Sequence, residues 1–273
     1  MRNSFWFCVF FLVGLTACEN RPEKTPTQLV NVDSILALPP DTLEWEELDI
    51  PVGADGLFDD FFFNFVRNSR FQEERIHFPL PVQNGKENSH IERKDWIFDR
   101  LEELQEVNTM IFDQNDDMNC AQDTSINDVT VEYIYFNCDS VKQYVFKRIE
   151  GRWNLTQLNW QSFKQHSDGN FYAFYKQFAN DSIFQEKRIR NPFDFKTYDE
   201  EINEEITGEV DAEGWWDYSP ELPKDMLTNI NYGHTSPTSR VRHLIITSPS
   251  AGMSSTLKFR MIKWQWKLVG LEN

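Results

Sequence analysis

One stretch of this chain is written twice. Residues 61–79 and 174–192, offset by 113 positions, agree at nine of nineteen places: Phe61, Phe65, Ser69, Phe71, Gln72, Glu73, Arg75, Ile76 and Pro79 stand opposite Phe174, Phe178, Ser182, Phe184, Gln185, Glu186, Arg188, Ile189 and Pro192. The same offset carries Phe146 onto Phe259, and Trp153, Leu155 and Leu158 onto Trp266, Leu268 and Leu271, so the start and the end of the unit agree. Solenoid and propeller repeats run at roughly 20 to 50 residues, so a period this long marks a duplicated domain. The duplication predicts a first domain over 57–160, a linker over 161–170 and a second domain over 171–273. Each is small, and the 23 Phe and 9 Trp of the chain supply the large buried area per side chain that small cores need.

Within each copy the apolar pattern changes period once. Phe58, Phe61, Phe62 and Phe65, and again Phe171, Phe174, Tyr175 and Phe178, fall at i, i+3, i+4 and i+7, which places four rings on one helical face. Asn68-Ser69 and Asp181-Ser182 supply caps for a short second helix, and Pro79 and Pro192 end it. The copies close on strands: Val129–Phe136, Val141–Ile149 and Trp153–Leu158, turned by Glu150-Gly151, are matched by Leu244–Thr247, Leu257–Ile262 and Trp266–Leu271, turned by Lys263-Trp264. A helix followed by an antiparallel meander predicts an α+β domain, with a curved antiparallel sheet wrapped on the helix. The middles, Trp96–Asp113 and Tyr198–Gly233, diverge, and specific functions are expected there.

Residues 1–17 read as a secretory signal, with Arg2 before an apolar run from Phe5 to Leu15 that is too short to span a bilayer comfortably. The run ends Leu15-Thr16-Ala17-Cys18, which resembles the lipobox of bacterial lipoproteins and implies a diacylated Cys18. Two or three acyl chains, at about 0.8 kcal/mol per buried methylene, anchor stably where one is marginal. Residues 18–56 hold Pro22, Pro26, Pro39, Pro40 and Pro51 and read as a semi-extended tether. The formal charge of −17 sets the folded part against nucleic acid and anionic headgroups alike. Once Cys8 leaves with the signal and Cys18 is lipidated, Cys120 and Cys138 remain. In an oxidising compartment a bridge between them would contribute about 3 kcal/mol. The second copy has Gly233 and Ala251 at those places, so the fold itself does not require it.

The run Phe61-Phe62-Phe63-Asn64-Phe65, with Phe71-Gln72, Arg75-Ile76, Phe78-Pro79-Leu80-Pro81, Met110-Ile111-Phe112-Asp113 and Gly151-Arg152-Trp153-Asn154-Leu155, resembles a lipoprotein family of Bacteroidetes, domain of unknown function 4348. The resemblance covers most of 57–160 and, more weakly, 171–273. It implies two tandem cone-shaped domains similar to nuclear transport factor 2, and it brings no activity with it.

Candidate sites are few. Cone-shaped domains of this kind often hold a pocket, and some related enzymes keep an Asp and a His inside it; here no such pair stands at a recognisable spacing, and His77, His90, His166, His234 and His243 read as surface residues. Asp113, Asn115 and Asp117 match the first ligand positions of a calcium loop, but Met118 and Thr124 stand where Gly and Glu are needed, so no metal and no cofactor is expected. Gln72, Glu73 and Arg75, recurring as Gln185, Glu186 and Arg188, leave two readings open: ligand-binding arginines, or polar ties between helix end and first strand. Trp215, Trp216 and Tyr218 lack a counterpart of that density in the first copy and are candidates for a partner surface as well as for core packing. Asp33-Ser34-Ile35 and Asp41-Thr42-Leu43 resemble Bacteroidetes O-glycosylation signals at Ser34 and Thr42. No nucleophile, metal set or acid–base pair stands out, so the expectation is a lipid-anchored envelope protein, at the outer membrane, that binds or scaffolds a protein, peptide or glycan. An enzyme working on a small molecule or glycan in a cone pocket is the alternative.

Overall fold

The computed structural model describes residues 55–101, 107–113, 120–199, 202–233, 236, 238–248 and 253–273. The aromatic stripes form the first helix of each half, α1 (Phe58–Arg67) and, after the strands of the first half, α3 (Gly169–Asn180). Short helices α2 (Ser69–Glu74) and α4 (Ser182–Lys187) follow them, and each starts on the predicted cap: Asn68 Oδ1 accepts from the amide of Phe71 at 2.9 Å, and Asp181 Oδ1 from that of Phe184 at 3.0 Å.

The strands of the first half are β1 (Leu80–Asn84), β2 (Glu87–Ile91), β3 (Asn108–Phe112), β4 (Asp128–Tyr135), β5 (Ser140–Ile149) and β6 (Arg152–Ser162). Those of the second are β7 (Ile189–Asp199), β8 (Glu204–Val210), β9 (Met226–Asn231), β10 (Val241–Ser248), β11 (Met253–Ile262) and β12 (Gln265–Glu272), with the short helix α5 (Trp215–Tyr218) ahead of β9. The meanders run as predicted, and a register break between Val145 and Phe146 recurs between Lys258 and Phe259. Such bulges bend a strand and let the sheet wrap its helix. Both tight turns take positive φ, at Glu150 and Gly151 in one half and at Lys263 and Trp264 in the other. One feature departs from the antiparallel expectation. The first and last strands of each half pair in parallel, β1 with β6 and β7 with β12.

Strand order shows how the halves join. One sheet runs β2-β1-β6-β5-β4-β9, and the other, read from its far end, runs β8-β7-β12-β11-β10-β3. Each half therefore lends its third strand to the sheet of the other. The lent strands β9 and β3 are sheet edges that meet, and a pair of threonines closes the seam. Thr109 Oγ1 accepts the amide of Thr228 at 2.7 Å and donates to the Thr228 carbonyl at 2.7 Å, while Thr228 Oγ1 accepts the amide of Thr109 and donates to its carbonyl, both at 3.1 Å. Contacts that repeat with partners interchanged are the signature of a two-fold interface. They also satisfy edge amides and carbonyls that would otherwise invite foreign strands.

The exchange mixes the cores. The second contains Ile111, Ile134, Phe136, Val141 and Phe163 of the first half, packed with Leu227, Leu244 and Phe259; the first takes in Tyr232. The described residues accordingly fall within one compact unit. The repeat also starts earlier than the stripe: Asp55-Gly56 recurs as Asp168-Gly169 inside the expected linker. Gly169 is obligatory there, since a Cβ would stand 1.6 Å from the carbonyl oxygen of Phe163.

Candidate functional site

The interior between helix and sheet, where a cone-shaped domain would hold a ligand, is filled with rings in both halves. Phe58, Phe61, Phe62 and Phe65 surround Phe146 at centroid distances of 5.2 to 6.0 Å, and Phe58 meets Trp153 edge-on at 5.1 Å. The second half repeats the constellation with Phe171, Phe174, Tyr175 and Phe178 around Phe259, and Phe171 on Trp266 at 5.2 Å.

The open space lies at the seam instead. A groove of about 370 Å³ runs between the inner face of the first sheet (Val131, Tyr133, Thr228, Ile230) and the outer face of the second (Asn108, Met110, Ile245, Thr247), with Asp59, Phe62 and Phe63 of α1 above it. Its walls are largely apolar. Tyr133 ties the neighbouring Leu101 in place by donating to its carbonyl at 2.5 Å. Asp59 is the one charged side chain among the described lining residues, and its Oδ1 accepts the hydroxyl of Tyr232 at 2.5 Å. The residue is exposed overall, but desolvation of its carboxyl raises the Asp59 pKa, opposed by that hydroxyl.

The two-fold relation predicts a second groove, and the sequence has filled it. Across the seam the repeat places Tyr172 and Tyr175 for Asp59 and Phe62, Glu132 and Ile134 for Ile245 and Thr247, and Leu227 and Asn229 for Asn108 and Met110. All six of these residues are buried. At the centre is the Glu132 carboxylate. Its Oε1 accepts from Gln143 Nε2 at 2.8 Å and His166 Nε2 at 3.0 Å, and its Oε2 from Asn229 Nδ2 at 3.0 Å and the Tyr172 hydroxyl at 3.4 Å. Burial alone would raise the Glu132 pKa, but the His166, Gln143 and Asn229 donors outweigh it and hold it below the usual value. Burial depresses His166 in turn, and the Glu132 hydrogen bond and charge reverse that. The other imidazole nitrogen, Nδ1, accepts the amide of Asp168 at 3.0 Å, which fits the neutral form donating from Nε2. Asp168 is paired with Arg242, and that pair is buried too. One seam is thus welded by the polar cluster around Glu132, and its twin is left open.

A family model for a domain of unknown function, number 4348, matches residues 41–273. The chain belongs to this family. Among solved structures it is similar to a crystal structure of a nuclear transport factor 2-like protein from Bacteroides fragilis, with 37% sequence identity and a TM-score of 0.72 over 81% of this chain and 97% of that one. The likeness thus extends beyond one half. No curated protein matches. The family expectation made from the aromatic run and its flanking motifs therefore holds, and with it the nuclear transport factor 2-like fold.

The residues singled out in the sequence fall as follows. Arg75 is buried and holds Asp55 in a two-pronged ion pair at 2.7 and 2.8 Å while donating to the Trp153 carbonyl at 3.1 Å, so it is a structural tie. Asp55 is held below its usual pKa, the Arg75 and Trp153 hydrogen bonds overcoming its burial. Arg188 has no such role: its guanidinium stacks on Phe184 at 4.8 Å, because the counterpart of Asp55, Asp168, is taken by Arg242. Gln72 spans four bonds, donating to the carbonyls of Phe65 and Asp99 and accepting from Trp96 Nε1 and the Asp99 amide. Gln185 donates to Phe178 and accepts from Trp215 Nε1 at 3.2 Å.

Trp215 is therefore the counterpart of Trp96, and it is fully buried, which removes it from any partner surface. Trp216 and Tyr218 are exposed, with Tyr218 packed on Phe195 at 4.6 Å. The middles are not unrelated, since Trp96 and Trp215, like Thr109 and Thr228, stand 119 apart. A longer β7–β8 hairpin changes the offset and hides the match. His77 and His90 are exposed as expected, whereas the imidazole of His166 is only 6% exposed: the Glu132 that buries it lies 34 residues away in sequence. No disulfide joins Cys120, which is buried, to Cys138, which is exposed with Sγ 2.9 Å from Ser140 Oγ. Asp113 is buried and accepts the amide of Ser236 at 2.9 Å, while Asn115 and Asp117 lie outside the described residues. Cys18, Ser34, Thr42 and His234 also lie outside them. No described helix is long and apolar enough to cross a membrane.

Proposed function

We propose that this protein is a non-enzymatic envelope lipoprotein in which two nuclear transport factor 2-like domains stand in tandem, locked by strand exchange, and that the open seam groove is its binding site. The observation that carries this reading is the asymmetry of the seam. Two-fold related positions are packed shut on one side by Glu132, Tyr172, Asn229 and Leu227, and on the other are occupied by shorter or differently shaped side chains that leave about 370 Å³ between mostly apolar walls. That volume is in the range of small-molecule sites. The lining offers one carboxylate, Asp59, and one phenol, Tyr133, whose hydroxyl is given to the Leu101 carbonyl, where proton-transfer chemistry ordinarily needs two groups converging on the substrate. The apolar walls favour a ligand with an apolar body over a bare glycan.

The binding reading is tested by purifying the protein from native envelope under mild conditions and identifying co-purifying small molecules by mass spectrometry. A ligand present with the wild type is expected to be lost from Ile245→Trp, which fills the groove; the same molecules on both proteins would remove the groove as the site. Lipid anchoring through Cys18 is supported by the Leu15-Thr16-Ala17-Cys18 signal after the apolar run, and the outer membrane is its proposed place. Metabolic labelling with a fatty acid is expected to mark the wild type and not Cys18→Ala. Label surviving the substitution would refute lipidation at that residue.

A further inference from the structure

The groove has a chemical polarity that narrows its ligand. Phe62, Leu101, Val131, Ile230 and Ile245 present carbon to the space, and the hydroxyls of Thr109 and Thr228 are engaged in closing the seam. Asp59, an exposed residue in the first turn of α1 beside Asp60, is the one charged group among the described lining residues, and the Tyr232 hydroxyl donates to its Oδ1. Among the described residues no Lys, Arg or His lines the groove. An anionic ligand would be repelled by the Asp59 carboxylate with no cation among the described lining residues to offset it, whereas a cation would find its partner there.

We propose that the groove binds a small apolar molecule bearing one protonated amine, with the amine at Asp59 and the apolar body between Ile245 and Ile230. This rests on the reading of the groove as a binding site, and it adds the ligand class. The twin seam supports the same assignment from the other side. There the position of Asp59 is taken by Tyr172, whose hydroxyl completes the shell of the Glu132 carboxylate, so a donor directed at an acid is already the chemistry that fills this space. In the open seam the acid has moved to the helix, at Asp59, and a donor from outside is what completes it.

The test uses three probes with one apolar body and different heads, namely phenylbutylamine, phenylbutanol and phenylbutyrate, titrated calorimetrically into the full folded protein. The amine is expected to bind about tenfold more tightly than the alcohol, as a charge-assisted hydrogen bond provides, and the carboxylate most weakly. Asp59→Asn should bring the amine down to the alcohol, while Ile245→Trp should abolish binding of all three with the cooperative melt retained. If Ile245→Trp does not fold, Thr247→Phe blocks the same groove from its rim. Phenylbutyrate binding as tightly as the amine, or an amine preference surviving in Asp59→Asn, would overturn the amine assignment while leaving the groove as a site. No binding of any probe to the wild type would overturn both.

Discussion

Replacing Arg242 by Met is expected to destabilise the protein by about 3–5 kcal/mol, the usual cost of removing one partner from a buried ion pair. Arg242 is 1% exposed and Asp168 7%, so the carboxylate left behind would have neither a cation nor ready access to water. The arginine also donates to the carbonyls of Val241 at 2.6 Å and Ser236 at 3.3 Å, fastening the connection between β9 and β10. Asp168 in turn gives its amide to His166, which faces Glu132, so the loss would propagate into the polar cluster that welds the closed seam. Equilibrium urea unfolding measures the effect. Adding Asp168→Asn to Arg242→Met should recover a large part of the loss, because the charge that lacked a partner is gone; a single-variant cost below about 1 kcal/mol would show that water reaches Asp168.

The helices, caps, tight turns and meanders were legible because each rests on local chemistry. Four rings at helical spacing, an Asn or Asp before a Ser, and a two-residue turn between alternating strands point the same way at short range. The strand exchange was not legible. Nothing local in Thr109-Met110-Ile111 or Thr228-Asn229-Ile230 tells which sheet receives them, since period and β propensity say nothing about a strand's neighbour. The longer β7–β8 hairpin then moved the offset from 113 to 119 and concealed that Trp96 and Trp215 do the same work. Two signals were nevertheless present. Glu132 sits among Val129, Val131, Tyr133 and Ile134, and Arg242 stands where the first half has Val129. A charge within a run of buried strand residues must find a partner. Looking for those partners leads to His166 and Asp168, in the segment that composition alone presents as a linker.

Truncating Trp153 or Trp266 to Ala should cost about 3–5 kcal/mol each, the range for large aromatic side chains removed from a packed core. The two rings occupy equivalent places, Trp153 against Phe58 at 5.1 Å and Trp266 against Phe171 at 5.2 Å, and they are 1% and 6% exposed. The duplication alone would confine each loss to its own half. The exchanged strands change that expectation: β3 is part of the second sheet and β9 of the first, so neither core can open without pulling an edge from the other. A single unfolding transition, moved by either substitution, is therefore expected in calorimetry; two transitions with only one displaced would mean that the halves unfold independently despite the exchange. The milder change to Phe separates the two sites. Trp266 Nε1 donates to Asn170 Oδ1 at 2.9 Å, whereas Trp153 Nε1 is buried with no hydrogen-bond partner. Trp266→Phe gives up a hydrogen bond along with volume, while Trp153→Phe gives up volume and relieves an unsatisfied donor, so Trp153→Phe should be the better tolerated of the pair.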